Sequence, residues 1–183
     1  MSEAYIIRNC APTLAGLKTG NMFTCPYENE AELLDTLRNL NRRLRSKGLR
    51  LVPLRISQQR ALLYLFRPKK LSQDLAHSSA EEILRCCGYC TGSCEKCVRQ
   101  LTKKLRQQED FPHEIGLFLG YPPEDVRGFM ENRDCGCKCT GCWKVYGDEA
   151  AAKKKFSQYK KCSKIYWDLW RSGKSLEKLT VAR

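Results

Sequence analysis

Residues 29–66 read NEAELLDTLRNLNRRLRSKGLRLVPLRISQQRALLYLF and contain the strongest structural signals of the chain. The first half of this stretch predicts an amphipathic helix over residues 29–47, because five leucines recur at the spacing of one helical face. They are Leu33, Leu34, Leu37, Leu40 and Leu44. Asn29 is expected to cap the N-terminus of this helix, and Gly48 is placed to end it.

The second half of the stretch changes to the alternating pattern of a pair of β-strands. Residues 49–56 and Ala61–Phe66 are strand-like runs with a loop near Ser57–Gln59 between them, which predicts a β-hairpin. Pro53 has no amide hydrogen, so its strand is expected at a sheet edge or at a bulge. Ala4–Arg8 and Asn21–Cys25 are expected to add short strands.

Beyond Pro68 the chain is predicted to be helical, with helices near 70–76, 79–87, 93–108, 112–119, 123–132 and 148–171. The fold class that follows is α+β, with a small antiparallel sheet and one long helix first and a mostly helical part second. A length of 183 residues fits one domain at about 100–200 residues per domain. We therefore expect a single domain over 1–183, with an α/β part over 1–67 and a helical part over 68–183.

The composition limits the classes of function. No apolar run approaches the roughly 18 residues that a membrane-spanning helix needs, so membrane insertion is not expected. The first 25 residues lack the apolar segment of a secretory signal, and we predict a cytoplasmic protein. The net charge is +13 and is spread evenly, at +6 over 1–91 and +7 over 92–183.

Two basic runs bear on nucleic-acid binding. The segment Arg38–Arg55 holds seven basic residues and no acidic one, and Lys153–Lys164 holds six basic residues. On a helical wheel of residues 148–171, however, the aromatic side chains share one face and most of the lysines take the other. This is the pattern of an ordinary solvated helix, since aromatic side chains that stack on bases must be exposed beside the charge. A basic nucleic-acid-binding module is therefore an alternative function but not the favoured one.

Twelve cysteines are many for a chain with no secretory signal, and nine of them form two clusters. The first cluster holds Cys87-x-x-Cys90 and Cys94-x-x-Cys97, preceded directly by Cys86. Two such pairs supply the four thiolates of a zinc site or an iron–sulfur cluster. The alternative is a helix–turn–helix whose thiols only pack or face solvent, because apolar residues continue a helical pattern on both sides.

The second cluster consists of Cys135, Cys137, Cys139 and Cys142 in a stretch with no helical period. Cys139-Thr-Gly-Cys142 resembles a metal-binding knuckle, in which Gly141 is expected to supply a left-handed backbone conformation. Cys139 and Cys142 are the first choice as ligands, and one site that combines both clusters is left open. The leading hypothesis is a protein that binds zinc or an iron–sulfur cluster and acts in metal or redox homeostasis.

A second hypothesis is a thiol-dependent enzyme. His113 lies in Phe111-Pro-His-Glu-Ile-Gly116, just after a proline at a predicted helix start. If folding brings Cys10 close to His113, the imidazole can act as base to the thiol and Glu114 can orient it. A structural role for His113 is the alternative. The chain has no phosphate-binding loop, no dinucleotide fingerprint and no Gly-x-Ser-x-Gly elbow.

Four segments resemble the bacterial domain-of-unknown-function family 3793. They are Cys10–Gly20 (CAPTLAGLKTG), Phe111–Phe129 (FPHEIGLFLGYPPEDVRGF), Cys139–Asp148 (CTGCWKVYGD) and Gly173–Val181 (GKSLEKLTV). The resemblance implies a soluble protein of anaerobic bacteria with a role in metal or redox physiology, and no defined activity. The motif positions that it carries onto this chain are Cys10, Thr13, Lys18, His113, Glu114, Tyr121, Asp125, Trp143 and Tyr146. The crowded cysteines from Cys86 to Cys97 depart from the usual family pattern.

Overall fold

A computed structural model of the chain describes residues 2–107, 110–133 and 135–182. The chain forms two compact units. The first unit consists of Met1–Lys69 together with Lys161–Arg183, and the second consists of Lys70–Lys160. In sequence, the second unit is therefore an insertion into the first. The α+β fold class is confirmed, with a small antiparallel sheet and a majority of helical residues.

The first unit contains a three-stranded antiparallel sheet. Its elements are α1 (Glu3–Leu14), β1 (Gly20–Pro26), α2 (Glu30–Arg45), β2 (Arg50–Ser57) and β3 (Arg60–Phe66). The strand order β1-β3-β2 places β3 in the centre, and six of its seven residues are buried. The strand predicted at Asn21–Cys25 and the long helix predicted at 29–47 are confirmed. Asn29 caps α2, because its side-chain oxygen accepts hydrogen bonds from the amides of Ala31 and Glu32.

The predicted strand at Ala4–Arg8 is wrong, because these residues lie within α1. A short apolar run such as Tyr5-Ile6-Ile7 fits a strand or a helix equally well. The spacing of the residues that follow decides for the helix. The buried residues of this face are Ile6, Ile7, Cys10, Ala11 and Leu14.

The predicted hairpin is confirmed, with β2 and β3 joined at Gln58 and Gln59. Both residues have positive φ, of 49° and 60°, as a two-residue turn that matches the twist of its strands requires. The prediction for Pro53 is also confirmed. Strand β2 lies at the edge of the sheet, and its register against β3 shifts between Pro53 and Arg55.

Asn41 in α2 protects the exposed edge of β2. Its side-chain amide donates to the carbonyl of Leu51 at 2.6 Å, and its side-chain oxygen accepts from the Leu51 amide at 2.9 Å. The same amide also donates to the Leu37 carbonyl, four residues earlier in the helix. One side chain thus substitutes for a neighbouring strand and fixes α2 against the sheet edge.

The segment after α8 (Glu149–Arg171) belongs to the core of the first unit. Leu176 and Leu179 are buried in the same apolar cluster as Leu14. The guanidinium of Arg67 is 4% exposed and donates to the carbonyls of Leu14 and Val181, both at 2.8 Å. The Val181 amide in turn donates to the Leu14 carbonyl at 3.0 Å. This network joins the end of α1, the end of β3 and residue 181.

The second unit is largely helical. Its elements are α3 (Pro68–Leu75), α4 (Ser78–Cys86), α5 (Cys94–Gln107), α6 (Ile115–Phe118), α7 (Pro123–Asn132), β4 (Cys139–Thr140), β5 (Lys144–Val145) and the first part of α8 (Glu149–Arg171). All six predicted helices are present, although α6 is only one turn long; residue 108, where the third was predicted to end, lies outside the described residues. The β4–β5 hairpin was not predicted.

Helix α8 has the two faces that its sequence predicts. Phe156, Tyr159, Cys162 and Trp170 are buried or half-buried, whereas all six lysines between 153 and 164 are exposed. In the part of the chain that the structure describes, no helix is both long and apolar enough to cross a membrane.

We expect Asn41→Ala to lower the free energy of unfolding by about 1–3 kcal/mol, because it leaves the Leu51 amide and carbonyl without their protein partner. Urea denaturation followed by circular dichroism measures this change. Asn9→Ala is the matched control, since Asn9 also donates to a carbonyl four residues earlier but that bond stays within α1. Equal losses in the two variants would contradict the role of the strand bonds.

Candidate functional site

The second unit contains a cavity of about 490 Å³. This volume lies within the range of small-molecule sites, which are usually about 300–1,000 Å³. Four segments contribute to the wall: α6 with the loop before it, the α6–α7 turn, α7 with the residue that follows it, and the β4–β5 hairpin. The lining residues used below are Asp110, Phe111, His113, Tyr121, Asp125, Phe129, Arg133, Trp143 and Lys144.

Asp125 fixes the hairpin against α7. Its side chain is buried, at 3% exposure, and both carboxylate oxygens accept hydrogen bonds. Oδ2 accepts from Nε1 of Trp143, and Oδ1 accepts from the amides of Tyr146 and Gly147, all three at 2.7 Å. A buried carboxylate is tolerated when several donors surround it, and such charge-assisted bonds are short and strong. The position of Trp143 in the wall therefore depends on Asp125.

Aromatic rings form much of the wall. Trp143 stacks on Tyr121 with 4.7 Å between ring centroids, and Phe156 meets Trp143 edge-on at 4.5 Å. The Tyr121 hydroxyl donates to the Cys142 carbonyl at 3.1 Å, and burial raises its pKa to about 12. This hydroxyl keeps its proton at neutral pH and helps to fix the ring.

His113 and two cationic side chains complete the site. The imidazole of His113 packs edge-on against Phe129, with centroids 5.2 Å apart. The ammonium of Lys144 lies 5.6 Å from the centroid of the same ring, a cation–π arrangement. Arg133 is exposed and also lines the cavity, as does Asp110. The site thus combines aromatic surfaces with positive charge.

Gly141 plays a different role from the predicted one. Its φ is not in the left-handed region, so the expectation of a left-handed knuckle backbone is wrong. A Cβ atom at this position would lie 2.3 Å from the ring of Phe156. Glycine is therefore required here because the hairpin packs closely against α8.

The first cysteine cluster surrounds the turn between α4 and α5. Cys90 is exposed, Cys87 is half-buried, and Cys94 and Cys97 are buried. The Cys97 thiol donates to the Cys90 carbonyl at 3.5 Å, and the amide of Gln100 contacts the Cys90 sulfur at 3.8 Å. Burial raises the pKa of the Cys87 and Cys97 thiols.

The second cluster lies in and just before the β4–β5 hairpin. Cys139 is half-buried and packs against the apolar cluster around Trp143, whereas Cys135 and Cys142 are exposed and Cys137 is half-buried. Across residues 2–107, 110–133 and 135–182, no three His, Cys, Asp or Glu side chains form a group that could hold a metal ion. Metal binding by either cluster, or by both together, therefore stays a prediction.

The three residues proposed for thiol chemistry have different environments. Cys10 is fully buried in the core of the first unit, and burial raises the pKa of its thiol. His113 lines the cavity of the second unit. Glu114 is 4% exposed and accepts hydrogen bonds from the Tyr89 hydroxyl and the Lys104 ammonium, at 3.1 and 2.9 Å. Burial of Cys10 argues against a role as nucleophile.

Some of the residues that line the cavity are motif positions of the family, and others are not. His113, Tyr121, Asp125 and Trp143 are motif positions, and all four line the cavity. Phe129, Arg133 and Lys144 were not singled out. Charge and aromatic character were the only sequence signals at these three positions, and many surface residues share them.

We expect Asp125→Asn to lower the free energy of unfolding by about 1–3 kcal/mol, because an amide leaves at least one of the three donors without an acceptor. The same variant should shift the indole N–H resonance of Trp143 in a ¹⁵N NMR spectrum. Asp168→Asn, at an exposed position of α8, is the control. An unchanged indole resonance would contradict the assigned role of Asp125.

Comparison with known proteins places the chain in a family. No curated protein and no solved structure matches it. A family model described as a protein of unknown function (DUF3793) matches residues 6–180 of the 183. The matched range includes every residue that lines the cavity. The chain therefore belongs to the DUF3793 family.

Proposed function

We propose that the second unit binds a small organic anion with a planar ring in the cavity beside α7. The observation that carries this proposal is the combination of aromatic walls with cationic side chains around one concave site. A cavity of about 490 Å³ accepts a ligand of one or two fused rings with an acidic group. The proposal concerns binding, and it assigns no reaction.

Ring recognition follows from the fixed aromatic side chains. Tyr121, Trp143 and Phe129 all line the cavity, and offset or edge-on contacts between rings contribute about 0.5–1.5 kcal/mol beyond the burial of area. Asp125 holds Trp143 in place, so little ordering of the wall is needed when a ligand enters. Preorganisation of this kind increases affinity.

Charge recognition follows from Arg133 and Lys144. Asp125 lines the cavity as well, but its two oxygens already accept three protein hydrogen bonds. Among the described residues, the other acidic one in the lining is Asp110, which is exposed. Arg133 and Lys144 are cationic residues of the lining, and the planar guanidinium of arginine suits a ligand carboxylate or phosphate in a bidentate arrangement.

The matched probes 1-naphthoate and 1-naphthamide test the proposal, because they share a ring system and differ in charge. We expect calorimetry to show tighter binding of naphthoate. Arg133→Gln and Lys144→Gln should each weaken naphthoate binding by about five- to tenfold, equivalent to about 1–1.4 kcal/mol, and leave naphthamide unaffected.

Lys153→Gln is the control for this experiment, because Lys153 is an exposed lysine of α8 that does not line the cavity. Equal affinity for the two probes, or no binding at millimolar concentration, would show that the proposal is wrong. An equal effect of Lys153→Gln would show that only the net charge matters.

Metal binding through the cysteine clusters, with a role in metal or redox homeostasis, stays a prediction. The observation in its favour is that Cys90, in the α4–α5 turn, lies close to Cys97 in α5, with the Cys97 thiol at 3.5 Å from the Cys90 carbonyl. A closed site requires that Cys87 and Cys94, or the thiols of the second cluster, move toward them.

Metal analysis of protein purified without oxygen and without a metal-affinity column tests this prediction. If the prediction is right, the protein contains about one zinc per chain or an iron–sulfur chromophore. The bound metal should be lost in the double variant Cys90→Ser/Cys97→Ser or in Cys139→Ser/Cys142→Ser. Cys162→Ser, outside both clusters, is the control. A colourless, metal-free, folded protein with twelve titratable thiols would contradict it.

A further inference from the structure

The first unit carries a second concave surface, a cleft of about 790 Å³ between α2 and the edge strand β2. We call it the arginine cleft. Its lining residues are Asp35, Arg38, Asn39, Asn41, Arg42, Arg45, Arg50 and Val52. Four of these eight residues are arginines and one is acidic.

The arginines are arranged in a row. Arg38, Arg42 and Arg45 follow one another at intervals of four and three residues, so they lie along one face of α2. A rise of 1.5 Å per residue spreads the three Cα atoms over about 10 Å. Arg50 begins β2 and adds a fourth guanidinium from the strand side.

The partners of these arginines leave most of the positive charge uncompensated. Arg38 pairs with Asp35 at 2.7 Å, and Arg42 donates to the neutral amide of Asn39. Throughout residues 2–107, 110–133 and 135–182, Arg42, Arg45 and Arg50 have no carboxylate within salt-bridge distance.

Arg43 lies on the same helix but, unlike Arg42 and Arg45, it has carboxylate partners. It pairs with Glu3 and Glu177, and the hydrogen bond from Arg43 lowers the pKa of Glu177 to about 2. The arginine that stabilises the fold is thus neutralised by two carboxylates, whereas three arginines that line the cleft are not.

The floor of the cleft is rigid. Asn41 lines it and also bonds the Leu51 amide and carbonyl, so the helix that carries three arginines is fixed to the strand that carries the fourth. The distances between the guanidinium groups are therefore limited to what side-chain rotation allows.

We propose that the arginine cleft binds the phosphate backbone of a nucleic-acid strand. Arginine matches phosphate oxygens with its planar fork of donors, and a row of arginines in a concave surface can follow successive phosphates. Among the described residues, Val52 is the sole apolar one in the lining, and it is half-buried. These residues provide no aromatic surface on which bases stack, so binding is expected to be independent of base sequence.

The shape and composition of the cleft favour a nucleic-acid strand over a membrane. A membrane-binding surface usually adds exposed apolar or aromatic side chains that enter the bilayer interface. Among the described residues, the exposed large hydrophobic side chains are Tyr5, Leu17, Phe111, Ile165 and Val181, and none of them lines the cleft.

Fluorescence anisotropy with a labelled oligothymidylate of about 20 nucleotides tests the proposal. Each phosphate contact contributes about −0.7 to the slope of the logarithm of the association constant against the logarithm of the salt concentration. Three contacts therefore predict a slope of about −2, so the association constant should fall about 16-fold from about 50 to about 200 mM salt. The variant Arg42→Gln/Arg45→Gln/Arg50→Gln should lose nearly all of this binding. The substituted side chains are exposed, so the fold is expected to persist, and circular dichroism checks that it does.

The matched control is Lys153→Gln/Lys154→Gln/Lys155→Gln, which removes the same three charges from exposed positions of α8. Retention of oligonucleotide binding in this control supports the cleft as the site. Equal losses in the two triple variants would assign binding to net charge and overturn the proposal. Binding to phosphatidylserine vesicles without binding to the oligonucleotide would overturn it as well.

Discussion

The carboxylate of Asp125 is removed from water and held by three protein donors, and the shape of the cavity depends on this arrangement. A buried charge is stable only while its donors stay in place. The indole of Trp143 and the backbone at Tyr146 and Gly147 therefore cannot move away from α7 without a large energetic cost. Because two strands of two residues each make a weak hairpin, this anchor contributes more to the shape of the wall than the strand pairing does.

The predictable parts of the structure are those whose signals are local. Helix α2 has a cap at Asn29 and a continuous leucine stripe. Pro53 has no amide hydrogen, which predicts that its strand lies at a sheet edge. Helix α1 was missed because its apolar residues also fit a short strand. The cavity depends on the contact between Asp125 and Trp143, which are 18 residues apart and share no periodic pattern. Interactions of this kind are set by tertiary packing, and one sequence does not reveal them.

The cysteines show how a composition signal can have several physical outcomes. Cys10 and Cys25 are fully buried in the apolar core of the first unit, where a thiol packs as a small hydrophobic side chain. Cys97 is buried beside Cys90, whereas Cys135 is exposed. By their spacing alone, these cysteines are equivalent candidate ligands. They differ in burial, which raises the pKa of a thiol and so reduces the fraction of the nucleophilic thiolate.

The division of the chain has a consequence for folding during synthesis. Residues 70–160 are contiguous, so all their partners within the second unit are available once that stretch has left the ribosome. The first unit is not contiguous, because Leu176 and Leu179 fill part of its core and the Val181 carbonyl accepts from Arg67. At about 5–20 residues per second, about 5–20 seconds pass between synthesis of β3 and synthesis of these partners. During that interval the apolar side chains of β3 are incompletely covered, so a chaperone that recognises exposed apolar segments can bind there.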